Sequence, residues 1–530
     1  MTTTSLTASA GEVPGRDWLP QHDPEAACAL ERLWDSGELG DVDRARLTRA
    51  VQQAGQYPHL RDELCHEIIT LGPAAAVHSS GQRDLPPNPP RVAEHDLHHG
   101  QVLLGRVCAH PSTPPQRHDV DFGMDLDCLR ANLLVIGPPD SGKTRSLALP
   151  LVEHLCLESL ANAASVVVID PQGDDFDIPG WFDVTIDSLN PDVGFSLFGA
   201  ATNAEEAADQ LASALLPIGV SADHEYLMDA SRNALYNALA SFQAGMGRWP
   251  TVRELLGMLR NAQEIVDRVR AGLNRCGKAI KEEYAPLLAH RAEQLHRRED
   301  PAASLIERLS QLDRPRLRSL FDHPTGVFAM TEINRPLRIR IALREAQMPE
   351  ASRFLARLVV SQFTHVVCND HANRDLFKGL VVNEAGRFVD DCTARALQRT
   401  RSDNAGLILL SQSLEDFPPQ VLPTVFASTG GKAVFGGVGP ADAEHFSRFW
   451  GEQQVLEHSY THSTTRLHVG PTGTSQGPTY GATRSSVTRK IWRERWPAGD
   501  LSMAIPPGHT VIQLRHSTGQ VTLPELVRLR

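Results

Sequence analysis

The stretch NLLVIGPPDSGKTRSLALPLVEHL constrains this chain more than any other. Residues 137–144, GPPDSGKT, place Gly, four residues, then Gly-Lys-Thr in sequence, the spacing of a phosphate-binding turn. The apolar run LLVI enters the turn, and the helix-patterned RSLALPLVEHLCLESL leaves it. Gly137 and Gly142 permit a backbone whose successive N–H groups point inward at phosphate oxygens. Lys143 is placed for the β- and γ-phosphates and the Thr144 hydroxyl for Mg²⁺. The helix N-terminus behind them favours an anion. Pro138, Asp140, Ser141 and Arg145 complete the candidate binding set, with ATP and Mg²⁺ as the expected cofactors.

Further apolar runs end in polar groups suited to such a site. SVVVIDPQGDDF (165–176) ends a buried strand in Asp170, at the carboxyl edge where open α/β sheets bind ligands. A strand terminator with a solvated acidic loop is the plainer reading. KGLVVNEAG (378–386) ends in Asn383 and Glu384. Glu384 is the candidate for polarising an attacking water. A Walker B pair usually has Asp before that Glu. A unit charge ~5 Å from a divalent ion, at an effective dielectric near ~20, contributes on the order of 6 kcal/mol before desolvation. Asn383 keeps an acceptor oxygen but gives up the charge. Thr144 and the phosphates still anchor the metal, so weakened metal affinity and slow hydrolysis are expected. Thr144, Asn383 and Asp170 form the candidate metal set.

AGLILLSQS (405–413) places the Gln412 amide to sense a γ-phosphate, unless it simply ends a core strand. QRTRSDNAG carries Arg399 and Arg401. Arg401 is the candidate for stabilising transition-state charge on a neighbouring subunit's nucleotide; a solvated basic helix end is the alternative. GPTGTSQG (470–477) and GGKAVFGG (430–437) imitate the phosphate turn but lack its Gly-Lys-Ser/Thr close, so both read as structural. DVDFGMDLD reads as a hairpin and not as a Ca²⁺ loop. EHDLHH (94–99) has no second ligand group beside it.

The chain of 530 residues is long enough for two to four domains. Residues 1–72 read as a helical N-terminal region and 73–96, rich in Pro, Gly and Ser, as a linker. Strands alternating with helices over 97–200 and 331–530 predict an α/β fold with a mostly parallel sheet, and 201–330 reads as an all-α insertion. Residues 457–488, rich in Ser, Thr and Gly, read as mobile, and GHTVIQLR with GQVTL as a closing strand pair. No run approaches the ~20 apolar residues of a membrane span, and the first twenty residues lack a secretory pattern. The eight cysteines form no CxxC pair, as in a reducing cytoplasm. A net charge of −12 excludes a uniformly basic surface but not a locally basic pore.

In order and spacing these motifs resemble the FtsK/HerA superfamily of ring ATPases, and within it the TraG/TraD-type coupling proteins of conjugative type IV secretion. LLGR (103–106) is similar to the family's entry to its ATPase domain, and NLLVIGPPDSGKTRS to its P-loop. VVVIDPQGDD is similar to its strand-Asp-Pro-Lys-Gly element, with Gln172 in place of Lys. SLNP (188–191), followed by a helical insertion containing DHEYLMDASRNALYNAL, resembles the all-α domain inserted in coupling proteins. VVNEAGRF resembles its Walker B pair and LILLSQS its glutamine strand. RERWPAGDLSMAIPPGHTVIQL resembles its closing segment. The likeness spans about residues 97–530. It implies a RecA-like P-loop ATPase, a homohexamer that holds nucleotide between subunits and threads DNA, and secretion-channel or relaxase-type partners reached through residues 1–72. Two departures stand out: Asn383 replaces Asp, and a helical region stands where the family has membrane-spanning helices. The latter places the chain in the cytoplasm, either as a HerA-like motor or recruited to the membrane's inner face by a partner. A nucleotide-gated module with little hydrolysis, or a motor for protein substrates in secretion or defence, stays open beside the DNA motor.

Overall fold

The computed structural model describes residues 12–86, 90–216, 222–295, 300, 302–324, 326–466 and 480–530. In chain order the strands are β1 (Glu94–Asp96), β2 (Gln101–Val107), β3 (Asp121–Asp125), β4 (Leu133–Ile136), β5 (Ala164–Asp170) and β6 (Val184–Asp187). There follow β7 (Gly194–Phe195), β8 (Val327–Phe328), β9 (Arg338–Ala342), β10 (Phe377–Val382) and β11 (Ala405–Ser411). The last are β12 (Gly431–Phe435), β13 (Glu452–Arg466), β14 (Tyr480–Glu494), β15 (His509–Gln513) and β16 (Glu525–Leu529).

One large mixed sheet runs β1-β2-β16-β15-β12-β4-β11-β10-β5-β9-β6, with β3 also paired to β2. From β12 to β6 every pairing is parallel; from β12 to β1 every pairing is antiparallel. The parallel part must be covered on both faces, which explains its near-continuous apolar strands. Side chains alternate between two cores: Leu134, Ile136, Val167 and Ile169 face one, and Leu133, Val135, Val166 and Val168 the other.

Helix Leu149–Leu160 covers the second face and is buried from Pro150 to Leu160. It is buried on its outer side too, because helix Asp41–Gln56 of the N-terminal region packs there. Arg46 donates to the Leu160 carbonyl, and Arg49 to the Ala161 carbonyl and to Glu158 at 2.6 Å. Glu153 accepts the backbone N–H groups of Val92 and Ala93, and His95 lies 2.8 Å from it while stacking on His154. The linker is therefore docked, and its last residues, expected to be irregular, are edge strand β1.

Helix Pro349–Val367 and, among the described residues, seven helices between Ala204 and Phe321 cover the other face. Two of them begin on side-chain caps. The Asn203 side chain accepts from Glu206 N, and Thr251 and Glu254 exchange bonds in a capping box. β7 and β8 pair in parallel at the neck, Gly194 with Val327 and Phe195 with Phe328, so the chain leaves and re-enters side by side.

Two expectations need correction. GQVTL is not the closing strand: apart from a bridge between Arg515 and Val521, pairing resumes only at β16. Pro524, which has no N–H to donate, separates the two. Part of 457–488, read as mobile, is paired: β13 and β14 match along fifteen residue pairs from Glu452–Glu494 to Arg466–Tyr480. Thr, Val, Ile and Tyr in these strands favour extended backbone, which a reading of small polar composition undervalues. GPTGTSQG lies outside the described residues.

The Arg49–Glu158 contact makes a measurable prediction. Burial pushes the Glu158 carboxyl up to about 7 despite the opposing pull of Arg49. Arg49→Met removes that pull and is expected to destabilise the protein by about 3 kcal/mol in denaturant unfolding at about pH 8. The folded variant then holds a proton on Glu158 more tightly than the unfolded chain does. The deficit is therefore fullest above the raised value and shrinks as the pH falls toward about 6.

Candidate functional site

Parallel pairing brings the polar strand ends together. Ile136 is level with Ser411, Leu409 with Val382, and Val382 with Ile169. One step further along each strand come Gly137, Gln412, Asn383 and Asp170. Four segments distant in sequence thus open onto one edge of the sheet.

The turn after β4 has the backbone its sequence requires. Asp140 and Gly142 take left-handed φ values of 60° and 96°, which orient neighbouring N–H groups into a concave anion nest. Gly137 has no room for a side chain: a Cβ would lie 2.6 Å from Ser141 Oγ and 2.9 Å from Phe435 Cβ. GGKAVFGG thus supplies packing under the turn. Its Lys432 is buried over the Phe426 and Phe449 rings, at 4.6 Å from each. The first turn after Gly142, Lys143–Ala148, is wound wide before the helix proper begins at Leu149. Pro150 is the reason: it offers no N–H to the Ser146 carbonyl, and its ring would crowd that oxygen. Lys143 is 6% exposed, Thr144 half-buried and Arg145 exposed.

Glu384 reaches this turn. Its Oε1 is 3.9 Å from Lys143 Nζ, and its Oε2 accepts from Gln412 Nε2 at 3.1 Å. Glu384 has φ 51°, a left-handed conformation that costs a non-glycine residue ~1–2 kcal/mol. Tight packing behind it holds the strain, since a Cβ on Gly386 would lie 2.9 Å from Ser411 Oγ. Lys143, Glu384 and Gln412 form a connected cation, carboxylate and amide at the mouth of the nest.

Asp170 does not behave as a metal candidate. It is fully buried; its oxygens accept Gly173 N at 2.9 Å and Phe176 N at 3.3 Å, and Arg340 Nη2 lies 3.2 Å away. The carboxylate organises the loop and neutralises a buried guanidinium, so the strand-terminator reading describes it. The acid beside Asn383 is instead Asp175, which the sequence reading passed over. Asn383 Nδ2 donates to Asp175 Oδ2 at 2.7 Å. Desolvation, then the charge of Asp170, push the Asp175 carboxyl above its ordinary value, with the Asn383 hydrogen bond opposing them. The only sequence signal was the doubled Asp of QGDD, and only the turn at Gly173, with φ 87°, decides which of the two faces Asn383.

Arg401 lies in the turn Thr400–Asp403, directly before β11 begins. That is the amino edge of the sheet, opposite the phosphate turn, so it is remote from its own chain's site. Its side chain lies outside the described residues.

Two orphaned atoms show that the site suits a polar ligand. Ser141 Oγ and Asn383 Oδ1 are buried without a hydrogen-bond partner, an arrangement that costs stability unless a ligand or ordered water completes it. With the inward-facing amides and Lys143, the donors fit phosphate; with Thr144, Asn383 and Asp175, the oxygens fit a hydrated divalent cation. Asp170→Asn is expected to strip Arg340 of its buried partner, leaving only the exposed Asp177 at 2.7 Å, and to lower stability by about 3 kcal/mol without any metal or nucleotide, as read by denaturant unfolding. A metal-shell residue would show no such loss in the ligand-free protein.

No protein-family model and no curated protein matches the sequence. Among solved structures, the chain is similar to the bacterial conjugative coupling protein TrwB. The unbound TrwB structure aligns with a TM-score of 0.55 at 18% identity, covering 78% of this chain and 87% of that one. TrwB in complex with ADP and Mg²⁺ aligns with a TM-score of 0.52, and in complex with the GTP analogue GDPNP with 0.51. Both are 18% identical and cover 77% of this chain, and 86% and 87% of theirs respectively. At such identity the likeness is one of fold, and it agrees with the motif order: the chain has the P-loop NTPase fold of the conjugative coupling proteins.

Proposed function

We propose that this chain is an ATP-hydrolysing motor of the coupling-protein type, which moves DNA through a ring of six copies. The observation that carries the reading is the convergence of Glu384 on Lys143, with Gln412 bonded to the same carboxylate. The Asp140 and Gly142 amides frame the phosphate seat; the Gly137 N–H bonds the Ser411 carbonyl and the Ser141 N–H the Pro138 carbonyl, and Pro138 has no hydrogen to donate, so these three shape the turn. Lys143 holds the β- and γ-phosphates, Thr144 supplies a hydroxyl ligand, and Arg145 stands at the exposed rim. Mg²⁺, when bound, screens phosphate charge and polarises the terminal phosphoryl group. Glu384 orients a water and receives its proton. Gln412 fixes the Glu384 carboxylate and exchanges that bond for the γ-phosphate or its water. Arg401, remote from its own site, acts on the neighbouring subunit's nucleotide.

The DNA substrate is part of this proposal and is taken from the likeness to the coupling proteins. Self-association is supported by the β13–β14 ribbon, where Leu456, Tyr460 and Trp492 lie on one face and are 55%, 76% and 62% exposed. A lone two-stranded ribbon is marginal by itself, and exposed apolar groups of this size mark contact surfaces. Among the described residues no helix is long and apolar enough to cross a membrane. Contact with a secretion channel is assigned to residues 1–72, whose helix Asp41–Gln56 packs on the helix that follows the phosphate turn. A second reading, a nucleotide-gated module with little turnover, is favoured by Asn383 and by a Glu384 already engaged before nucleotide arrives.

Turnover measured with and without single- and double-stranded DNA, beside the mass of the nucleotide-bound assembly, tests this. DNA is expected to raise turnover, and the assembly to weigh six times the 58.1 kDa chain. Glu384→Gln should retain nucleotide binding and lose about 100-fold or more in turnover, whereas Lys143→Ala should lose binding. Turnover indifferent to both DNA forms refutes the DNA motor.

A further inference from the structure

We infer that Asp175 and Asn383 act together as a split Walker B acid, in which the loop residue carries the charge and the strand residue the uncharged acceptor. The proposal rests on the nucleotide reading above and concerns how the same site holds a hydrated divalent cation.

The loop is built to deliver Asp175. Asp170 binds the N–H groups of Gly173 and Phe176, and Arg340 bonds both Asp170 and the Gly173 carbonyl. Residues 173–176 are thereby wrapped around a buried ion pair, and Asp175, between the two anchored N–H groups, is turned toward the end of β10. There Asn383 donates to it at 2.7 Å, a charge-assisted bond. An ionised carboxylate can only accept, so this bond also fixes which way the amide faces. Nδ2 belongs to Asp175, and Oδ1 is left buried and unpartnered as an acceptor for a donor the protein does not supply. A metal-bound water is such a donor.

Asn383 is then no lesion. With Asp175 in place, an aspartate at 383 would set two carboxylates in contact beneath Glu384, and like charges so close oppose joint ionisation. One of the two positions has to be neutral. The chain puts the neutral group on the buried strand end, where Asn383 is 1% exposed, and the charge on the exposed loop residue, where desolvation costs less. The charge missing from the Walker B position has moved to the neighbouring strand's loop.

The test is a Mg²⁺ titration of equilibrium binding of a fluorescent non-hydrolysable ATP analogue to the full chain, with unliganded melting as the folding control. Asp175→Asn is expected to raise the Mg²⁺ concentration for half-maximal effect about ten-fold or more, and to leave melting unchanged. The exchanged double variant, Asp175→Asn with Asn383→Asp, is expected to return it to within about three-fold of the unaltered chain. A half-maximal concentration for Asp175→Asn within two-fold of the unaltered chain overturns the proposal, as does a double variant no better than the single one. In both of those cases the unaltered chain still binds the analogue, so the nucleotide reading survives. Absence of analogue binding by the unaltered chain at saturating Mg²⁺ refutes that reading, and the split acid with it.

Discussion

Everything at the site depends on parallel, in-register pairing of β4, β11, β10 and β5. Strands that run the same way finish at the same edge, so a turn, an amide, an asparagine and an acid meet without any one segment encoding their proximity. The same pairing demands cover on both faces, which the helix after the phosphate turn and the Pro349–Val367 helix with the helical insertion supply. Fold and site are in this respect one requirement: the sheet that buries its strands also aligns their ends.

Around that edge, charge is distributed by burial. The most buried acid, Asp170, is neutralised by Arg340 and by backbone donors. The acids that face the nest, Glu384 and Asp175, are less buried and meet weaker or shared partners: Lys143 at 3.9 Å and neutral amides. Deep carboxylates need a full partner to stay ionised; shallower ones can remain available to a ligand. The left-handed backbone at Glu384 stores strain where an incoming group would compete for Lys143 and Gln412.

The N-terminal helices belong to the same mechanical unit. Arg46 and Arg49 close the far end of the helix that starts at the phosphate turn, and Glu153 in its middle holds the linker backbone. A partner acting on residues 12–76 would therefore press on the element whose N-terminus faces the nucleotide seat. The N-terminal region and the linker are bound by buried polar contacts, which no periodicity in 1–72 announces, because Arg46 and Arg49 reach Leu160, Ala161 and Glu158 more than a hundred residues away.

The phosphate-turn spacing with its flanking strand and helix, the α/β class, the helical character of 204–321 and the position of Glu384 and Gln412 at the ends of apolar strands were legible in the sequence. Each depends on local spacing, or on an apolar run ending in a polar group, and local backbone preference and burial set those patterns directly. The partner of Asn383 was not legible, nor was the engagement of Asp170 by Arg340, the pairing inside the Ser/Thr-rich segment, or the docking of the linker. Those contacts join residues far apart along the chain, and side chains of the same type, Asp170, Asp174 and Asp175, become distinct only once a turn has aimed them. The sequence by itself determined which chemistry was present; tertiary structure decided which carboxylate faces it, because direction and burial are properties of the packed chain and not of the residue.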